Sequence, residues 1–160
     1  MDPFSWTIAG GFIDLGTLGG GFAIARAVNS NGQVVGVSSL NTACPGCPDP
    51  DDEHAFSWTA NGGMIDLGTL GGFNSFASAV NASGRVVGVS ETADGPPHNF
   101  SWTATGGMVD LGDLGDVAAM NDRGQIVGTR FPIEGGQLAF SWTAEAGRLC
   151  SAHSSMAVEL

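Results

Sequence analysis

The sequence predicts an all-β protein built from repeats, and three observations support this prediction. The tetrapeptide Phe-Ser-Trp-Thr occurs four times, beginning at Phe4, Phe56, Phe100 and Phe140. Successive copies lie about 40 to 50 residues apart, a spacing typical of repeats that form propellers and solenoids. No segment has sustained helical periodicity, whereas short segments alternate apolar and polar residues as strands do. We therefore expect a β-propeller-like array of four-stranded repeats, with a β-trefoil as the alternative.

The first element of each repeat is the aromatic tetrapeptide. In an extended segment, Phe-x-Trp places both aromatic rings on one face and Ser and Thr on the other. A tryptophan at such a position contributes most by burying its large area, so we expect the rings to fill the core. Stacking on sugars is the other use of such a ring. The four tryptophans are Trp6, Trp58, Trp102 and Trp142.

The second element has the pattern Gly-Gly-x-x-Asp-Leu-Gly-x-Leu-Gly and occurs at residues 10–19, 62–71 and 106–115. The paired glycines predict a turn, followed by a strand. Asp and Asn side chains bond the backbone of their own turns, which is the interpretation we favour for the recurring aspartates. A ligand site repeated in each unit is the alternative. These aspartates are Asp14, Asp66 and Asp110.

The third element, Ala-[Val/Met]-Asn-x-x-Gly-[Gln/Arg]-[Val/Ile]-Val-Gly, occurs at residues 27–36, 79–88 and 119–128. Its Asn-x-x-Gly spacing predicts a tight hairpin, in which the Asn holds the turn backbone and the Gly takes a positive φ. The β-branched run that follows predicts the next strand. One unit therefore supplies about four short strands, the size of a propeller blade.

The order of the motifs predicts a single repeat domain over residues 1–150 and a tail without repeats over 151–160. The domain divides into a half unit at about 4–22 and three units at about 23–72, 73–115 and 116–150. The count is about three and a half blades, below most closed rings. Because a half unit leaves an unpaired strand edge, we expect a second copy of the chain to complete the ring. An open arc and a fragment of a larger ring are the alternatives.

Charge excludes several classes of partner. Sixteen acidic residues against five basic ones give a net charge of −11, which repels nucleic acid and anionic membranes. The sequence has no apolar run of about 18 residues, so no membrane insertion is expected. The first residues lack the basic and apolar regions of a signal peptide.

The longest insertion between repeats is rich in groups that bind ligands. It contains Cys44-Pro-Gly-Cys47, a pair that can form a local disulfide or one half of a metal site. The interpretations are a solvated acidic loop with that disulfide, a calcium site on the four acids, or a transition-metal site. Apart from this calcium, no cofactor and no catalytic residue is predicted. The candidate binding residues are Asp49, Asp51, Asp52, Glu53 and His54.

Three motifs in a constant order resemble the HAF repeat. They are Leu67-Gly-Thr-Leu-Gly-Gly72, then Ala79-Val-Asn-x-x-Gly-Arg-Val-Val-Gly88, then the aromatic-Trp-Thr element. The family is named for a His-Ala-Phe triplet, present here as His54-Ala55-Phe56. The resemblance implies a bacterial protein of the cell exterior or envelope and supplies no catalytic residue.

These observations predict a non-catalytic extracellular or envelope binding module whose ligand is a carbohydrate or a protein. The alternative is a hydrolase or lyase acting on a glycan with carboxylates from the loops, since such chemistry needs only two acids. Clustering of Asp51, Asp52 or Glu53 with His54 or His98 in one pocket would favour the enzyme.

Overall fold

The computed structural model describes residues 3–8, 10–41, 52–131, 136–144 and 150–151. Within them the chain is all-β, with 14 strands and no helix, as the sequence predicts. In chain order the strands are β1 (Phe4–Thr7), β2 (Gly11–Asp14), β3 (Gly19–Val28), β4 (Val34–Leu40), β5 (Glu53–Thr59), β6 (Gly63–Asp66), β7 (Gly71–Val80), β8 (Val86–Thr92), β9 (His98–Thr103), β10 (Gly107–Gly112), β11 (Asp116–Met120), β12 (Ile126–Arg130), β13 (Leu138–Trp142) and β14 (Cys150–Ser151).

The strands form three four-stranded antiparallel sheets and one two-stranded hairpin. Each sheet consists of four consecutive strands: β3 to β6 in the first, β7 to β10 in the second and β11 to β14 in the third. The hairpin of β1 and β2 corresponds to the last two strands of a sheet. None of the sheets closes into a barrel within the described residues. The same part of the chain has no helix long and apolar enough to cross a membrane.

The Asn-x-x-Gly motif forms the hairpin between the first two strands of each sheet. In the first sheet, the side-chain oxygen of Asn29 accepts hydrogen bonds from the backbone N–H groups of Asn31 and Gln33, both at 3.0 Å. Gly32 takes a φ of 78°, a conformation that glycine adopts without steric cost. The predicted turn chemistry is therefore present, and it recurs at Asn81 and Asn121.

The first strands of the first two sheets are longer than the sequence predicts. Both β3 and β7 have ten residues and begin in glycine-rich segments, at Gly19 and Gly71, although glycine is uncommon in strands. These strands bulge where they pass a glycine of the second strand, as β7 does beside Gly88. A Cβ at Gly88 would meet the ring of Phe100 at 2.8 Å and overlap the carbonyl of Phe76. The glycine thus allows the backbone to lie directly on the aromatic ring.

Each sheet has two faces of different character. The front face, as we name it, carries the Phe and Trp of the third strand, whereas the back face carries smaller side chains such as Val and Ala. Between the first two sheets, Val35 and Ala55 of one back face lie in the same cluster as Val86 and Phe100 of the next front face. Between the second and third sheets, Val87 lies with Ile126 and Phe140. Sheet therefore packs on sheet, front face on back face.

The segment after the hairpin covers the front face of the first sheet. Leu15 forms a buried cluster with Ala23, Val34, Phe56 and Trp58, and Leu18 packs against it. A backbone hydrogen bond of 3.0 Å from Leu15 to Pro3 connects this segment to the hairpin.

The expectation that all four tryptophans fill the core is wrong for Trp6. Trp58 is 7% exposed, and Trp102 and Trp142 pack partly buried against the clusters between sheets. Trp6 is 56% exposed, because in the described structure no preceding sheet covers the hairpin.

The fourth strand of the third sheet, β14, is described at two residues. Its Ser151 pairs with Phe140. The prediction that the tail begins at Ser151 is wrong for this residue, because Ser151 belongs to β14. Residues 152–160 lie outside the described part of the chain.

Candidate functional site

The predicted acidic site lies only partly in the described structure. Asp49 and Asp51 are outside the described residues, as are Cys44 and Cys47, so the calcium site and the disulfide stay predictions. Glu53 begins β5, where its backbone N–H donates a 2.9 Å hydrogen bond to the side-chain oxygen of Asn74.

The backbone of Asp52 also joins neighbouring strands, because its carbonyl accepts a 2.9 Å hydrogen bond from Leu40. Among the described residues, no three His, Cys, Asp or Glu side chains come together in a way that could hold a metal ion. The described acids of the loop, Asp52 and Glu53, lie at the junction with β5.

His54, the last predicted site residue, contacts a carboxylate of the neighbouring strand. Its Nδ1 lies 2.8 Å from both carboxylate oxygens of Asp66. Asp66 also accepts a 2.7 Å hydrogen bond from the backbone N–H of Gly68. Burial raises the pKa of Asp66, but the hydrogen bonds from His54 and Gly68 outweigh it and hold the pKa below its ordinary value of 3.8. The pair connects β5 to β6 and to the turn that follows.

The same pair recurs in the second sheet. His98 Nδ1 lies 2.9 and 3.0 Å from the two oxygens of Asp110, which accepts a 2.7 Å hydrogen bond from Gly112. Hydrogen bonds from His98 and Gly112 lower the pKa of Asp110 below 3.8. The sequence analysis missed these pairs, although both have the same separation of 12 residues along the chain.

The recurring aspartates and asparagines also bond within the scaffold. Asp14 accepts a 2.9 Å hydrogen bond from Gly16, equivalent to the turn bonds of Asp66 and Asp110. The side-chain amide of Asn29 donates to the backbone carbonyl of Asn81 at 2.8 Å, and that of Asn81 donates to the carbonyl of Asn121 at 3.3 Å. The asparagines therefore connect the hairpin turns of successive sheets in a ladder.

An open groove lies beside the exposed tryptophan. It has a volume of about 480 Å³ and separates β1 from the end of β3 and the turn that follows it. Phe4 and Trp6 line one side, and Arg26 and Asn29 are among the residues on the other. β1 pairs only with β2 in the described structure, so its other edge is free at this groove.

The front face of the hairpin is apolar and open to solvent. We name Phe4, Trp6 and Phe12 the N-terminal aromatic face. The rings of Phe4 and Phe12 pack together, with centroids 5.1 Å apart and planes inclined by 55°. Phe12 is nevertheless 73% exposed. Exposed contiguous apolar side chains of this kind mark interaction surfaces in soluble proteins.

A second cavity, of about 330 Å³, lies between the second and third sheets. Asp113, Asp116 and Arg130 line it together with Phe131. Its lining does not include His54 or His98. The pocket that the sequence analysis specified for an enzyme, with loop acids around these histidines, is therefore not this cavity.

Comparisons with known proteins gave no match: no protein-family model, no curated protein and no solved structure matches the chain.

Proposed function

We propose that the chain is a non-catalytic binding module of the extracellular or envelope setting that its HAF-like repeats suggest. Its three sheets and half sheet form a propeller-like arc, and its binding surface is the N-terminal aromatic face with the adjoining groove. The partner is a protein.

One observation carries this proposal. The same pair of aromatic residues is buried in the first sheet, where Phe56 is 0% and Trp58 7% exposed, and open in the hairpin, at Phe4 and Trp6. Large aromatic side chains contribute most of the binding energy at protein interfaces. A face that is core in the interior repeats and solvent-exposed in the first copy is suited to receive another protein surface.

The packing of the sheets supports the propeller-like arc over the β-trefoil. Four consecutive strands form each sheet, and successive sheets pack front face on back face. Both features are typical of propeller blades, whereas a trefoil places strands from all three units in one barrel.

A carbohydrate is the second candidate ligand, favoured by the composition of the groove. Trp6 offers an aromatic ring for stacking, and Arg26 offers a guanidinium group for hydroxyls on the opposite side. No carboxylate is among the described residues that line this groove. Since glycoside hydrolysis uses two carboxylates, the groove favours binding over the alternative of a glycan-acting hydrolase or lyase.

Photo-crosslinking in cells that express the chain tests the proposal. We would replace Phe12 with the photoreactive amino acid p-benzoylphenylalanine, irradiate, and identify the adducts by mass spectrometry. We expect defined protein adducts, because the side chain lies on the proposed binding surface and is 73% exposed.

The matched control carries the same substitution at Phe73, which is 59% exposed but lies at the beginning of β7. Adducts equal in kind and yield at both positions, or no adduct at Phe12, would contradict a binding role for the aromatic face. Glycan adducts at Phe12 would replace the protein ligand with the carbohydrate.

A further inference from the structure

The interior of the molecule shows what covers a front face. The front face of the second sheet carries Phe100, which is 0% exposed. Val35 and Ala55, on the back face of the first sheet, lie in the same cluster and are also 0% exposed. The back face of the second sheet repeats this contact, with Val87 in one cluster with Phe140. The chain therefore contains two examples of one interface.

The third sheet carries the same covering side chains, and no further sheet packs on them within the described residues. Val127, Ala139 and Ser141 stand where the first sheet has Val35, Ala55 and Ser57. Val127 is 39% exposed, compared with 0% for Val35. The back face of the third sheet thus has the same kinds of side chain as the first, but its Val127 is exposed to solvent.

The N-terminal aromatic face is the complementary open surface. Its Phe4, Trp6 and Phe12 stand where the second sheet has Phe100, Trp102 and Met108, which join the cluster that a back face covers. Within the described residues, no back face covers the N-terminal aromatic face and no front face covers the back face of the third sheet.

We propose that the back face of the third sheet of one copy covers the N-terminal aromatic face of a second copy. This inference rests on the proposed interaction function and names its partner as the chain itself. The contact joins two different surfaces, so it either closes into a ring or continues as an open chain of copies. It repeats the interior interface, with Val127 of one copy against the aromatic rings of the next.

Light scattering after size exclusion, over a range of concentrations, tests the contact with the full chain. We expect wild type to associate beyond the 16.2 kDa monomer. Phe12→Glu removes one surface and Val127→Glu the other, and each variant alone is expected to be monomeric, because a charge is placed in an apolar contact. Phe73→Glu, at another exposed ring that lies outside both surfaces, keeps the wild-type mass.

Mixing the two variants is the decisive step. Phe12→Glu retains an intact back face and Val127→Glu an intact aromatic face, so an equimolar mixture is expected to form one contact and a species of twice the monomer mass. A mixture that stays monomeric while wild type associates overturns the head-to-tail contact, provided that circular dichroism shows both variants folded.

A monomeric wild type overturns the inference as well. If the cross-linker at Phe12 still captures a different protein, the proposed function stands and only its partner changes. If it captures nothing, the proposed function fails too.

Discussion

At the scale of single residues, two histidine–aspartate pairs connect neighbouring strands of the described structure. Both join the third and fourth strands of a sheet, and both aspartates also hold the next turn. Recognising such a pair needs the register of the strands, since the two residues are 12 positions apart and lie diagonally across a hairpin. The sequence shows the turn role of Asp66 because it is local, but not its contact with His54.

Asp66 predicts a specific dependence of stability on pH. Because its pKa is held below 3.8 in the folded chain, its contribution to stability is complete above that value and is lost as the pH falls through the folded pKa. We expect Asp66→Asn to lower the urea midpoint at neutral pH and to differ less from wild type at about pH 2. Urea unfolding at several pH values measures this.

Asp14→Asn is the matched control for Asp66→Asn. Asp14 makes the equivalent bond to Gly16, and the position equivalent to His54 holds Asp2, which lies outside the described residues. A difference between Asp66→Asn and wild type that is the same at both pH values would contradict the linkage.

At the scale of elements, local turn chemistry and close backbone contacts decide which glycines are required. The sequence predicts the Asn-x-x-Gly hairpins correctly, since the Asn and the Gly act within a few residues. It does not predict that β3 and β7 begin at Gly19 and Gly71, because glycine is uncommon in strands and pairing with the second strand overrides that preference.

Gly88→Ala should destabilise the second sheet. The added Cβ would overlap the carbonyl of Phe76 and press on the ring of Phe100, and overpacking of this kind costs about 1–3 kcal/mol. Gly21→Ala in β3 is the control, because an added Cβ there meets nothing within 4 Å. Chemical denaturation measures both, and an equal effect of the two substitutions would show that the contact at Gly88 relaxes without cost.

At the scale of the whole molecule, the same tetrapeptide has two roles that depend on its neighbours. The sequence cannot distinguish Trp6 from Trp58, because the local residues are the same and only the packing of a preceding segment separates them. For the same reason, the sequence predicts a binding site in the acidic loop, where the composition is unusual, and not on the hairpin, where it is ordinary.

Substitution of these two tryptophans separates the two roles. Trp58→Ala should lower the free energy of unfolding by about 3–5 kcal/mol, since a buried aromatic side chain is lost from a packed cluster. Trp6→Ala should change it by less than about 1 kcal/mol, the usual size for an exposed position. The unfolding measurements should be made at a protein concentration below that at which copies associate. Equal losses of unfolding free energy for both variants would show that Trp6 is also part of the core.

The asparagine ladder has a consequence for how such a chain varies in length. Each step joins one hairpin turn to the next with the same two groups, a side-chain amide and a backbone carbonyl. If a unit is duplicated or deleted, the units on either side can therefore form the same hydrogen bonds with each other. The free energy of unfolding then changes by the contribution of one unit and one interface, as in other one-dimensional arrays. Adding or removing a unit would therefore change the number of sheets and leave the hydrogen-bonded joint between them the same.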